Sequence, residues 1–95
     1  MKLPLGFDMT TTRADFRRLL PAAVAHVPFV EEGEAFVHRD GTRGWRIDLS
    51  PLPKLEIGLI RLERHRAEFS FSGYAPNEID TFMARFEQYF RRGGG

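Results

Sequence analysis

The sequence predicts an α+β fold: a two-layer sandwich in which an antiparallel meander of four or five strands carries an N-terminal and a C-terminal helix on one face. Three observations predict it. Apolar residues recur at helical spacing near both ends of the chain. Between Pro28 and Tyr74 they alternate with polar residues instead. Short turn signals divide that middle stretch.

The first nine residues carry Pro4 and Gly6 with alternating Leu3, Leu5 and Phe7, the pattern of an extended edge segment or of a loosely docked arm. Thr12 and Asp15 then stand at capping-box spacing, in an Asp form. Phe16, Leu19, Leu20, Ala23, Val24 and Val27 follow as one apolar stripe. Pro21 interrupts it by removing a backbone donor. The helix therefore either kinks there, or stops near Leu19 and restarts with Pro21 at its first position.

The period next changes to two. Phe29-Val30 and Ala35-Phe36-Val37 flank a Gly33-containing hairpin loop, and Asp40 to Gly44 reads as the following turn. Trp45, Ile47 and Leu49 alternate with Arg46, Asp48 and Ser50, a strand with one dry face. Ser50 to Lys54 is expected to break that strand, because Pro51 and Pro53 do not suit a central ladder. Leu55 to Glu63 is expected as a separate strand with Gly58 as a bulge, and Arg64-His65-Arg66 as a turn. Ala67, Phe69 and Phe71 mark the last strand. Pro76 opens the closing helix, whose stripe is Ile79, Phe82, Met83, Phe86, Tyr89 and Phe90. Glu78 and Asp80 near its start, and Arg91 and Arg92 near its end, suit the helix dipole. The expected core is Phe16, Leu20, Val24, Trp45, Ile47, Leu49, Ile60, Phe69, Phe71, Phe82, Phe86 and Phe90.

The order helix, strands, helix resembles, in element order, the frataxin-type sandwich, and that resemblance implies two layers. Frataxins carry an acid-rich first helix. Here Arg13, Arg17 and Arg18 stand against Asp15 alone, so no iron site is carried over.

Ninety-five residues make one domain, 1–95, ending in a flexible glycine tail at 93–95. An apolar fraction of 42% is enough to fold and argues against intrinsic disorder. A formal charge of +1 does not announce a nucleic-acid or anionic-membrane protein. The lack of cysteine removes disulfides, thiolate catalysis and Cys-type zinc sites. No apolar run approaches a membrane span, and the opening Met1 to Gly6 is too short and broken for a signal peptide, so a cytoplasmic location is expected. Phosphate-loop, dinucleotide and nucleophile-elbow motifs are missing, and no cofactor is expected.

His26, His38 and His65 are far apart in sequence, and no metal site is expected from their spacing. On the wet face of the sheet, Arg46, Asp48, Glu68, Ser70 and Ser72 should be neighbours, joined by His38 if the register allows. A carboxylate, an imidazole and hydroxyls are the parts of an acid–base site. Cross-strand charge pairs are also the ordinary covering of an open sheet, so the reading is non-enzymatic. Arg61, Arg64, His65 and Arg66 cluster at one hairpin, and Arg39, Arg43 and Arg46 at another. Sharing one end of the sheet, they would form a basic rim for nucleic acid. However, alternation places Trp45, Phe69 and Phe71, the stacking platforms, on the buried face. The terminal Gly94-Gly95 resembles the end of ubiquitin-like modifiers and sulfur carriers, although here a helix rather than a strand leads into it.

The sequence thus points to an accessory domain, self-associating as a homodimer or docking a protein partner. Its candidate surface is His38, Arg46, Asp48, Arg61, Arg64, His65, Arg66, Glu68 and Ser70. Leu52 and Leu55 are either exposed apolar contacts or part of a loop folded onto the rim of the core.

Overall fold

The computed structural model describes residues 5–93. The elements are β1 (Leu5–Met9), α1 (Arg13–Ala23), β2 (Val30–Glu32), β3 (Ala35–Asp40), β4 (Arg43–Ile57), β5 (Ile60–Ser72) and α2 (Pro76–Gly93). One antiparallel sheet has the order β1-β5-β4-β3-β2. Strands β2 to β5 form the expected meander. The opening segment is an edge strand, added beside β5.

Both helices cover the face that carries Trp45, Ile47 and Leu49 of β4 opposite Phe71, Phe69 and Ala67 of β5. The core is largely aromatic. Phe86 is fully buried, and its ring stacks on Phe90 at 4.3 Å and meets Phe69 edge-on at 4.8 Å. Such pairs add to the burial term. Arg85 ties the helices together by donating from Nε to the Ala22 carbonyl at 2.9 Å.

Thr12 caps α1 as expected, accepting the Asp15 amide at 3.0 Å. The helix neither stops near Leu19 nor restarts: it runs through Pro21 to Ala23. This close to the C-terminus, proline forfeits one amide bond in a turn that is about to end. The end itself is a Schellman motif, with His26 N–H on the Pro21 carbonyl at 2.8 Å and Ala25 N–H on the Ala22 carbonyl at 3.3 Å. It places Ala25 at φ 57° and His26 at φ 61°, where glycine is the usual choice. At the start of α2, Glu78 reaches back to accept the Ala75 amide at 2.8 Å.

The middle of the chain departs from expectation. Ser50 to Lys54 does not break β4, which continues to Ile57. Neither does Leu55 to Glu63 form a strand of its own: Gly58-Leu59 is a two-residue turn, with Gly58 at φ 59°, joining β4 to β5. Arg64-His65-Arg66 is mid-strand in β5, not a turn. The turn between β3 and β4 shrinks to Gly41-Thr42. Geometry explains the tolerated prolines. Leu49 donates its amide to the Glu34 carbonyl at 3.1 Å, on the β3 side. Two residues on, the Pro51 nitrogen points to the same side, where β3 has ended, so no ladder bond is lost. Pro53 falls in a bulge between Leu52 and Leu55. The outcome is one long β4–β5 hairpin, and the molecule measures 47 × 25 × 25 Å. Ile60, expected in the core, lies near the hairpin tip and is 57% exposed.

Candidate functional site

The face of the sheet away from the helices can be read as rows across the strands, because paired residues share a face. Near the β3–β4 turn, Arg46 lies opposite Val37 and Ser70. The next row is Ala35, Asp48, Glu68 and Gly6, and the next Ser50, Arg66 and Asp8. Arg46 holds Asp48 at 3.1 Å, and Arg66 holds Glu68 at 3.3 Å and Asp8 at 3.0 Å. Arg64 adds a second contact to Asp8 at 3.3 Å. The structure therefore brings Arg46, Asp48, Arg64, Arg66, Glu68 and Ser70 together as a mixed-charge surface.

Beyond Arg64 the same face turns apolar. Leu52 lies opposite Arg64, Leu55 opposite Leu62, and Ile57 opposite Ile60. Leu55 and Leu62 are 38% and 37% exposed, Ile57 and Ile60 exceed half, and Leu59 at the turn is fully exposed. The bulge is what collects them. Counting alternately from Trp45, Leu55 and Ile57 would fall on the helix side. One extra residue moves them to the face where Ile60 and Leu62 already lie. The other side of this arm carries Glu56 opposite Arg61, 3.8 Å apart. Beyond His65 neither β1 nor β3 accompanies it.

The arm is anchored where it leaves the body. Arg13 Nη2 donates to the carbonyls of Leu49 at 2.7 Å and Glu34 at 3.0 Å. His65 Nδ1 donates to the Thr11 carbonyl at 2.8 Å. His65 is thus a buried anchor rather than a surface group. His38 is buried as well. It pairs with Trp45 on the helix side, with Nδ1 donating to the Pro28 carbonyl at 2.7 Å, and does not join Asp48 and Glu68.

The two arginine clusters do not make one rim, because the β3–β4 and β4–β5 turns lie at opposite ends of β4. Their guanidinium groups are matched by carboxylates: Arg39 with Glu32 at 2.6 Å, Arg43 with Glu78 at 3.1 Å, Arg61 with Glu56, and Arg64 and Arg66 with Asp8. On the helix side, the double hydrogen bond from Arg17 holds the Glu31 carboxyl below the usual range, and on the open face Arg39 does the same for Glu32. A cleft of about 690 Å³ opens between β1, α1 and α2. Two of its acids, Asp8 and Asp15, are already held by arginines. Among the described residues no three His, Asp or Glu side chains converge as metal ligands, and no helix is long and apolar enough to cross a membrane. Gly94 and Gly95 lie outside the described residues.

Sequence reasoning named Leu52 and Leu55 but missed Ile57, Leu59, Ile60 and Leu62 as one surface. The available signal was Gly58 at the midpoint of an aliphatic run, a hairpin turn read as a bulge. Comparison with protein-family models, with curated proteins and with solved structures gives no match for this chain. The likeness to frataxins remains one of element order.

Proposed function

We propose that this chain is a non-enzymatic interaction domain, cytoplasmic, self-associating or docked to a protein partner, and that it engages through the apolar face of the β4–β5 arm. The observation that carries this reading is the set of five large aliphatic side chains, Leu55, Ile57, Leu59, Ile60 and Leu62, exposed together on one ribbon. A two-stranded ribbon with an uncovered apolar face is marginal in water by itself. Contiguous apolar surface of this kind marks a contact site. The charged rows beside it supply a polar rim, the usual surround of an apolar contact. Nucleic-acid binding by the two arginine clusters draws less support, since Arg39, Arg43, Arg64 and Arg66 already hold carboxylates.

The test is site-specific photocross-linking in the source cells. A photoreactive residue replacing Ile57 is expected to give protein adducts, and one replacing Ser70 few. Equal yields at the two positions, or none at residue 57, would overturn the reading.

A further inference from the structure

The two edges of the arm differ. The β4 edge is blunted twice, by Pro51 with its nitrogen turned outward and by the bulge that holds Pro53. These are the ordinary devices that keep a strand edge from pairing. The β5 edge has neither. β1 ends at Met9 opposite His65, and from Ile60 to Arg64 no strand lies beside β5 among the described residues. The direction of its backbone groups follows from the ladder. The Leu49 amide faces β3, so Ala67 opposite it faces away from β4. Alternation along β5, which has no bulge, then turns the amide and carbonyl of Glu63 and Arg61 outward as well. Five residues of open, pairing-competent edge remain.

We propose that this edge pairs with the same edge of a second copy of the chain, antiparallel about a two-fold axis at Leu62. The inference rests on the reading of the arm as an interaction element and names its partner and register. In this register Arg61 lies opposite the partner's Glu63, and Glu63 opposite the partner's Arg61. Each such pair exchanges two backbone hydrogen bonds and matches opposite charges. Leu62 meets the partner's Leu62 in the closer, non-hydrogen-bonded position. The neighbouring symmetric registers are disfavoured by charge. Centring on Arg61 sets it against the partner's Arg61, and centring on Glu63 sets two carboxylates face to face. The charge pattern of Arg61-Leu62-Glu63 is thus self-complementary in one register only. An isologous contact requires that property. The pairing also joins the two apolar arm faces into one strip, with Leu55, Leu62, the partner's Leu62 and the partner's Leu55 in a row across four strands.

The chain has no cysteine, so a single introduced thiol reports its own position. Oxidised Leu62→Cys is expected to form a disulfide-linked dimer. Leu55→Cys is not, because three strand spacings, about 14 Å, separate it from its copy. In sedimentation equilibrium, Arg61→Glu and Glu63→Arg should each weaken self-association by roughly tenfold or more, by setting like charges opposite. A mixture of the two variants should associate as a heterodimer at wild-type strength. Circular dichroism checks that each variant keeps its fold.

Cross-linking of Leu55→Cys as readily as Leu62→Cys, or a mixture no stronger than its components, would overturn the proposal. A wild-type chain that stays monomeric at millimolar concentration would overturn it too. A monomer that still gives adducts from residue 57 loses the pairing and keeps the docking face. A dimer whose only adducts are to itself keeps the pairing and loses the heterologous partner.

Discussion

The two halves of the β4–β5 hairpin share strands, ladder and aliphatic content, yet they have opposite fates. Near the body, Trp45, Ile47, Leu49, Ala67 and Phe69 are buried beneath two helices, with β3 and β1 on either side. Toward the tip, among the described residues, Leu55, Ile57, Ile60 and Leu62 have no helix above them and no third strand beside their hairpin, and they lie on the other face. Strand residues become core only where a second layer covers their face, and here the layer ends before the strands do. The bulge then makes the tip coherent by placing the β4 aliphatics beside those of β5.

The largest expected contrast is between one buried ring and one exposed aliphatic. Phe86→Ala should cost about 3–5 kcal/mol in urea unfolding, enough to unfold a domain of this size. Ile60→Ser should stay within about 0.5 kcal/mol of the parent chain. A loss above about 2 kcal/mol for Ile60→Ser would mean that the tip is packed, and the contrast would collapse.

The anchor between the halves comes next. Arg13→Met removes the donor to Leu49 and Glu34 while keeping most of the side chain's bulk, and should cost roughly 1–3 kcal/mol. Hydrogen exchange should rise more in the arm than in β3. An equal rise in both would show that Arg13 serves overall stability rather than the direction of the arm. A smaller effect is expected at the blunted edge. Pro51→Val restores an outward amide and should lower solubility with little change in unfolding free energy. Unchanged solubility at matched concentration would argue that the bulge alone protects that edge.

The smallest effect is electrostatic and confined to the body. Glu31 and Glu78 are held below the usual carboxyl range, Glu31 by hydrogen bonding from Arg17 and Glu78 by the Ala75 amide and Arg43. A folded-state value below the unfolded one stabilises the fold above the ordinary glutamate range, and that contribution is lost as pH falls through the folded value. Glu78→Gln should therefore flatten the acid limb of the urea midpoint plotted against pH, leaving exchange in the arm unchanged. An acid limb as steep as the parent's would remove Glu78 as a contributor.

By itself the sequence determined the fold class, the two helical stripes, the Thr12 cap, the alternation of Trp45, Ile47 and Leu49, and the wet face of Arg46, Asp48, Glu68 and Ser70. Each of these depends on periodicity or on a neighbour within four residues, and that information is local. Tertiary structure decided whether Pro51 breaks a strand, which depends on whether β3 still lies beside it. It decided that Gly58 turns the chain, because the partner of Leu55 is Leu62. It buried His38 and His65, since the carbonyls of Pro28 and Thr11 that hold them come from other segments. It also left Ile60 outside the core: a side chain's pattern names a face, and only the packing of other elements determines whether that face is covered.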